Sequence, residues 1–402
     1  MNGDVVEGRG AVAPHTRRYL HEIFVELCRI DSPSRHERAC AERVRSELVA
    51  LGIDVLEDST QGHTGSDSGN LLARVPARAR ATAAGAPGER AGSSEPPRCV
   101  LLCAHLDTVP AQAPIDPVLV DGVYENANEA ILGADNKAAV AVILALVREA
   151  VRDRAPVDLE LLFTVGEELA LEGARAFDAS ALRADFGFVF DHATPIGEVI
   201  VASPSHFRIE AEFRGTAAHA GIRPQDGRSA IVAAARAIAA MSLGSLDGGE
   251  ASANVGTIAG GTAMNVVPER CVIVAEARSM RDERAEAIAA EIVDRVHEAA
   301  NAPECECDVD VRVQRMFSGY RHAAAAPAVR VAEDALADCG FRAQRVVSGG
   351  ASDANALIAQ GVSVVNLANG TERNHEPGER VAARALDDML DVSLALLARA
   401  SR

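Results

Sequence analysis

The chain has 402 residues, which at roughly 150 residues per domain predicts two or three domains and excludes a lone small module. Hydrophobic residues make up 48% and charged residues 24%, so the chain is composed to bury a core and is not a disordered segment. With 58 acidic against 40 basic residues the formal charge is −18, aromatics are 3% and tryptophan is absent. Such a surface repels phosphate backbones and anionic lipid and offers no stacking platform for bases, so neither nucleic acid nor a membrane is an expected partner.

The eight cysteines contain no C-x-x-C pair and read as buried thiols of a reducing compartment. The N-terminal stretch MNGDVVEGRG carries an early acid and no apolar run resembling a signal peptide. No stretch approaches the roughly 18 apolar residues of a membrane span. A cytoplasmic location is expected.

In chain order, helical spacing of apolar residues predicts a helix over 17–30, then a second helix capped by Ser34 that runs to Leu51 and stops at Gly52. Short apolar runs at 53–56, 71–75 and 100–104 read as strands, and an Ala/Val/Leu-rich helix follows from Asp135 to Val151. The runs 159–165 and 186–190 are continuous in apolarity, the pattern of strands covered on both faces. Between Val75 and Cys99 lies an aperiodic Ala/Arg/Gly/Pro stretch, expected to be a flexible excursion over 76–98.

From about Ser203 the texture changes to strand 206–213, helix 229–241, strands 254–258 and 272–277, helix 282–300 and strand 309–313. That β-α-β-β-α-β order is the split arrangement of a ferredoxin-like domain. The expected organisation is an α/β catalytic domain, 1–202 and 317–402, with a smaller α+β domain, 203–316, inserted into it.

Four clusters carry chemistry. In VLLCAHLDTVP a strand ends at His105, and Asp107 lies two residues on, where a carboxylate can orient an imidazole. Alone, a strand-end surface histidine explains it better. In ILGADNKAAVAVILAL, Asp135 opens a helix, equally an N-cap and a carboxylate able to bridge two cations. Lys137, the single lysine of the chain, reads most simply as a solvated first-turn side chain.

In LELLFTVGEELALEGA, the adjacent Glu167 and Glu168 end a buried strand, where one can hold a metal while the other takes a proton; helix-first-turn acids are the plainer reading. Asp191 ends the next strand in FGFVFDH, a common place for ligands in open α/β sheets. Late in the chain, LANGTERNHEPGERV places His375 in a polar loop. The preceding SGGASDANAL has a Gly349–Gly350 pair that suggests a tight turn or a close backbone approach to a ligand.

Taken together and in this order, His-x-Asp, Ala-Asp-Asn-Lys, Glu-Glu, a strand-end Asp and a late loop His resemble the co-catalytic dizinc metallopeptidases, the family of peptidase T, glutamate carboxypeptidase and aminoacylase. The Ala-Asp-Asn-Lys-Ala-Ala run, the SGGASDANAL turn and the NGTERNHEP loop look most like the peptidase T-like branch. The resemblance implies a three-layer α/β/α catalytic domain with an inserted lid and dimerisation domain. It implies two Zn2+ per subunit, with Co2+ or Mn2+ as substitutes: His105 and Asp191 on one, Glu168 and His375 on the other, Asp135 between them.

It further implies that Asp107 orients His105 and that Glu167 is the general base. His219, from GTAAHAGIRP, would reach across a homodimer formed through the inserted domain to steady the oxyanion. Asn265 and Arg278 would bind substrate, Arg278 by clamping a carboxylate, together with Gly349 and Gly350. The activity implied is amide hydrolysis in small peptides, with release of the N-terminal residue from tripeptides. An N-acyl amino acid deacylase or carboxypeptidase on the same site is the alternative, and a non-catalytic peptide- or metal-binding protein a more distant one.

Overall fold

The computed structural model describes residues 12–77, 98–153 and 155–402. The excursion expected at 76–98 therefore lies, but for its ends, outside the described residues. The chain divides into two compact units, one of Met1–Val201, His322–Val347 and Ser352–Arg402, the other of Ala202–Arg321 and Ser348–Ala351. The boundaries expected at 203 and 316 compare with Ala202 and Arg321, and the short stretch Ser348–Ala351 returns to the second unit.

The first unit is built on a mixed sheet whose strands run in the order Val55–Glu57, Leu71–Val75, Asp158–Thr164, Cys99–His105, Phe186–Phe190, Val364–Leu367, Glu198–Ser203, with Gln344–Val347 beside the last. The four central strands, from Asp158–Thr164 to Val364–Leu367, are mutually parallel. Every residue of Phe186–Phe190 is buried, as are Leu159–Thr164 and Val100–His105. Side chains of both parities are thus out of water, which requires helices on both faces. Apolar side chains of Pro14–Arg29, Arg38–Ala50, Ala134–Asp153, Pro327–Asp338 and Ala383–Ala400 share one core with the sheet. Fully burying a side chain such as Phe163 or Phe188 contributes about 1.5–3 kcal/mol each.

Several expectations need correction here. Ser34 does not cap the second helix, which starts at Arg38. Its hydroxyl donates instead to Asp107 Oδ2 at 2.7 Å, and Glu37 occupies the cap position with its side chain turned back to the N–H of Arg35 at 2.9 Å. Lys137 is not solvated: it is fully buried and its ammonium donates to the carbonyl of Ile30, just past the end of the first helix. The eight cysteines are all free, but Cys99 and Cys339 are only partly covered. A small antiparallel sheet of Thr371–Glu372, Arg380–Ala382, Val123–Asn126 and Pro117–Val120 was not legible in the sequence.

The second unit follows the β-α-β-β-α-β order, with strand order Gly244–Leu246, Ala251–Gly260, Arg270–Ser279, Ser205–Arg214, Asp308–Phe317, all antiparallel. Without the added strand Gly244–Leu246 this is the ferredoxin-like order. Strict alternation along Ser205–Arg214 and Arg270–Ser279 buries one face. That face packs on the helices Ala230–Ala240 and Asp282–Ala300. Among the described residues no helix is long and apolar enough to cross a membrane.

Candidate metal centre

The parallel strands deliver their chemistry at one edge. His105 is the last residue of its strand and is paired in register with Thr164, the last residue of the next. Glu167 and Glu168 follow Thr164 in a single 3-10 turn, and Asp191 follows Phe190, with its N–H on the carbonyl of Leu367 at 3.2 Å. All four positions are carboxyl ends of strands, the edge at which open α/β sheets bind ligands.

Asp135 stands where a regular helix has not yet begun: it and Asn136 have non-helical backbone angles. Its carboxylate faces two ways. Oδ1 lies 3.3 Å from His105 Nε2, and Oδ2 lies 3.3 Å from His375 Nε2. Asp191 Oδ1 is 3.7 Å from His105 Nε2, and Glu168 Oε1 is 2.8 Å from His375 Nε2. Two groups of donors therefore share Asp135, His105 with Asp191 and His375 with Glu168, each with its ligand atoms within 4.8 Å of one another. Glu167 joins a third such group with His105 and Glu168.

The electrostatics of the chain alone ask for positive charge. Burial by itself lowers the proton affinity of His105, but Asp107, Asp135 and Asp191 overcome it and raise its pKa well above the ordinary value. His375 is pushed up to about 10, by its hydrogen bonds to Asp135 and Glu168. Glu167 is raised well above the ordinary carboxylate range, by burial first and then by the charge of Asp191. Burial likewise raises Asp191 and Glu168. Protons on the two histidines stand where cations satisfy the same oxygens. Imidazole nitrogen and carboxylate oxygen are donors that suit Zn2+ and, with lower preference, Mn2+ or Co2+. The residues fit a pair of divalent ions.

A layer of supports surrounds these donors. His105 Nδ1 lies 3.0 Å from the backbone carbonyl of Asp107 and 3.4 Å from its carboxylate, so the carbonyl is the nearer partner. The Asp107 carboxylate is instead spent on the N–H groups of Glu167 at 3.0 Å and Glu168 at 3.2 Å and on Ser34. Burial works against its charge, yet His105 and Ser34 hold its pKa below the usual value. Asn366 brackets Asp191, accepting its N–H at 2.9 Å and donating to its carbonyl at 2.8 Å. Glu37 accepts from the N–H of Gly166, at 3.0 Å, beside the Glu-Glu turn. Thr164 donates to Asp353, whose pKa burial pushes up to about 7. The sequence pointed to Ser34 only as a helix cap, and it did not single out Glu37, Asn366, Asp353 or Glu379, whose carboxylate accepts the N–H of Asp135. Asp353 and Glu379 stand inside motifs already noticed, whereas a buried acid before a helix and an Asn in a buried strand carry no spacing signal.

The other expected site residues lie in the second unit. His219 and Asn265 are exposed neighbours, joined by the Ala220 N–H on the Asn265 carbonyl at 2.9 Å. Arg278 is engaged within its own unit, donating to Glu276 at 3.0 Å and to the carbonyl of Gly349 at 3.2 Å. The Gly350 carbonyl accepts from Ser203 at 2.8 Å. Among the described residues neither glycine is required by crowding, for a Cβ on Gly349 meets nothing within 4 Å and one on Gly350 only Ser348 Oγ at 3.9 Å.

Comparison with known proteins identifies the family and the fold. The peptidase dimerisation domain of the M20 family matches residues 202–304, and peptidase family M28 matches residues 88–221. The uncharacterized protein YqjE of Bacillus subtilis is 32% identical over 384 residues, 95% of this chain and 98% of its own length. Among solved structures, aminopeptidase PepT from Bacillus cereus is 33% identical with a TM-score of 0.83, covering 96% of this chain and 99% of its own. A tripeptidase from Staphylococcus aureus is 29% identical with a TM-score of 0.86 over the same shares. With the M20 peptidase dimerisation domain matched over residues 202–304 and likeness to PepT over nearly the whole length, the chain belongs to the M20 family of metallopeptidases.

Proposed function

We propose that the chain is a dizinc aminopeptidase that removes the N-terminal residue from tripeptides in the cytoplasm, working as a homodimer through its inserted domain. The carrying observation is Asp135, whose two oxygens face the two histidine-containing donor groups at 3.3 Å each. That arrangement serves a pair of cations and is wasted on one. Likeness to an aminopeptidase and a tripeptidase over 96% of the chain supports the choice of substrate.

When bound, two such cations bring the pKa of a coordinated water toward neutrality and polarise a carbonyl. His105 and Asp191 would hold one, Glu168 and His375 the other, and Asp135 faces both groups. Glu167 takes the proton of the attacking water and returns it to the leaving amine, and Asp107, gripping its backbone N–H, fixes where that carboxylate stands. His219 steadies charge on the carbonyl oxygen from the partner subunit, and Arg278 and Asn265 bind the far end of the peptide, with the Gly349–Gly350 turn beside Arg278.

The test is hydrolysis, followed by mass spectrometry, of free tripeptides beside their N-acetylated and C-amidated forms, with added Zn2+, Co2+ or Mn2+ and a chelator control. Metal-dependent loss of the first residue alone, blocked by acetylation, is the expected result. Cleavage of the acetylated peptides moves the assignment to a deacylase or carboxypeptidase, and no cleavage with any metal sinks the enzymatic reading.

A further inference from the structure

The turn that leads into Asp135 exposes three backbone N–H groups to a fully enclosed place in the protein. Those of Leu132 and Gly133 both point at Glu379 Oε2, at 2.9 and 2.8 Å, and that of Asp135 itself points at Glu379 Oε1, at 2.8 Å. Glu379 is 1% exposed and no cationic side chain pairs with it in these bonds. A carboxylate is the one protein side chain with enough acceptor sites and no donor to satisfy such a trio. Burying a charge this way is costly unless the geometry is full, and here both oxygens are in use.

Glu379 is also tied to the other half of the site. It lies four residues after His375, closes a turn with its N–H on the Glu376 carbonyl at 3.0 Å, and opens the strand Arg380–Ala382. That strand pairs with Val123–Asn126, whose Asn126 donates to the carbonyl of Ile131 at 2.8 Å. The segments carrying Asp135 and His375, 240 positions apart in the sequence, are thus tied together at one buried carboxylate, that of Glu379.

We propose that Glu379 is a positioning residue for the metal centre: its three N–H bonds hold the Asp135 turn against the His375 loop and so set the donor geometry that accepts two cations. This rests on the reading of Asp135 and His375 as ligands. Glu379→Gln keeps the shape but turns an amide donor toward N–H groups. Glu379→Asp keeps the charge and is one methylene too short to reach all three.

The experiment is zinc competition with a fluorescent chelator, together with zinc content and thermal unfolding measured with and without zinc, on the full chain. Wild type binds two ions, and His375→Ala loses one; if either statement fails, the ligand reading itself falls. Given both, Glu379→Gln lowers zinc affinity by about 10–100-fold, lowers kcat with little change in KM, and shrinks the rise in Tm that zinc produces. Exposed Glu372→Gln, on the same small sheet, leaves all three unchanged. A folded Glu379→Gln with wild-type zinc affinity, or one whose Tm drops equally with and without zinc, overturns the proposal. If the Gln variant does not fold even with zinc present, Glu379→Asp carries the test: weakened zinc binding supports the proposal, and wild-type binding overturns it.

Discussion

Asp107 accepts the backbone N–H of Glu167 at 3.0 Å, so the residue two places after a candidate ligand holds the candidate base rather than serving His105 alone. Asp107→Asn replaces an acceptor oxygen by a donor in a site that offers N–H groups from both Glu167 and Glu168. Outer partners of metal ligands typically carry about 10–100-fold in affinity or activity. The expected result is a loss of that size in zinc affinity with an accompanying fall in kcat. An Asn variant equal to wild type in both would mean the turn is held by Glu37, through the Gly166 N–H, instead.

Glu167→Gln preserves volume but cannot take a proton. General acid and base groups contribute about 10²–10⁴-fold, so turnover of a tripeptide should fall by at least that much while zinc content stays at the wild-type value. Atomic absorption beside steady-state kinetics reads both, and an active Gln variant removes Glu167 from the proton transfer.

Removing the metal should abolish activity and lower the thermal stability of one unit only. All five candidate ligands lie in the unit of Met1–Val201, His322–Val347 and Ser352–Arg402. A ligand present at 100 times its Kd stabilises the form that binds it by about 2.7 kcal/mol. Hydrogen exchange should therefore slow in that unit when Zn2+ is restored after chelation, with Ala202–Arg321 unchanged. Equal slowing in both would contradict a site confined to one.

Glu276 supplies a pH dependence in the second unit. His206, with Nε2 3.2 Å from its carboxylate, aided by Arg278 against a burial effect of opposite sign, lowers its pKa to about 2. A depressed carboxylate adds stability that is present above its unfolded pKa, about 4.3, and is lost as pH falls through the folded value. Glu276→Gln should therefore be less stable than wild type at pH 7, and the gap in Tm should close between about pH 5 and pH 2. A gap that is constant across that range would assign the effect to packing.

Gly173 is the second residue of the helix Glu172–Ala176 that follows the Glu-Glu turn, and a Cβ there would sit 2.0 Å from the Val165 carbonyl and 2.7 Å from Asn70 Oδ1. Overpacking of this kind costs about 1–3 kcal/mol. Gly173→Ala should show that loss in denaturant unfolding and a lower kcat, because Val165 and Gly166 lead directly into Glu167. Unchanged kcat would show that the turn absorbs the shift.

The sequence alone determined the alternation of strands and helices, the insertion of a β-α-β-β-α-β unit and the residue types at the ends of buried strands. Those features are local: apolar periodicity reports which faces are covered, and strand ends are marked by the switch from apolar to acidic residues, as in FGFVFDH and LELLFTVGEE. The motif order carried the family for the same reason, since each motif is a short run read without knowing its neighbours.

What only the tertiary structure decided is which groups meet across long stretches of chain. That Asp135 faces both His105 and His375, that Glu379 grips the turn 132–135, that Asp107 serves the Glu-Glu turn and that Lys137 ends on the Ile30 carbonyl are contacts between segments up to 247 positions apart. The small sheet went unread because its strands are two to four residues long and partly exposed, and their pairing joins residues near 120 to residues near 380. A buried polar group must find a partner wherever the fold offers one, and the position of that partner in the sequence is set by the packing of the sheet and helices rather than by any local pattern.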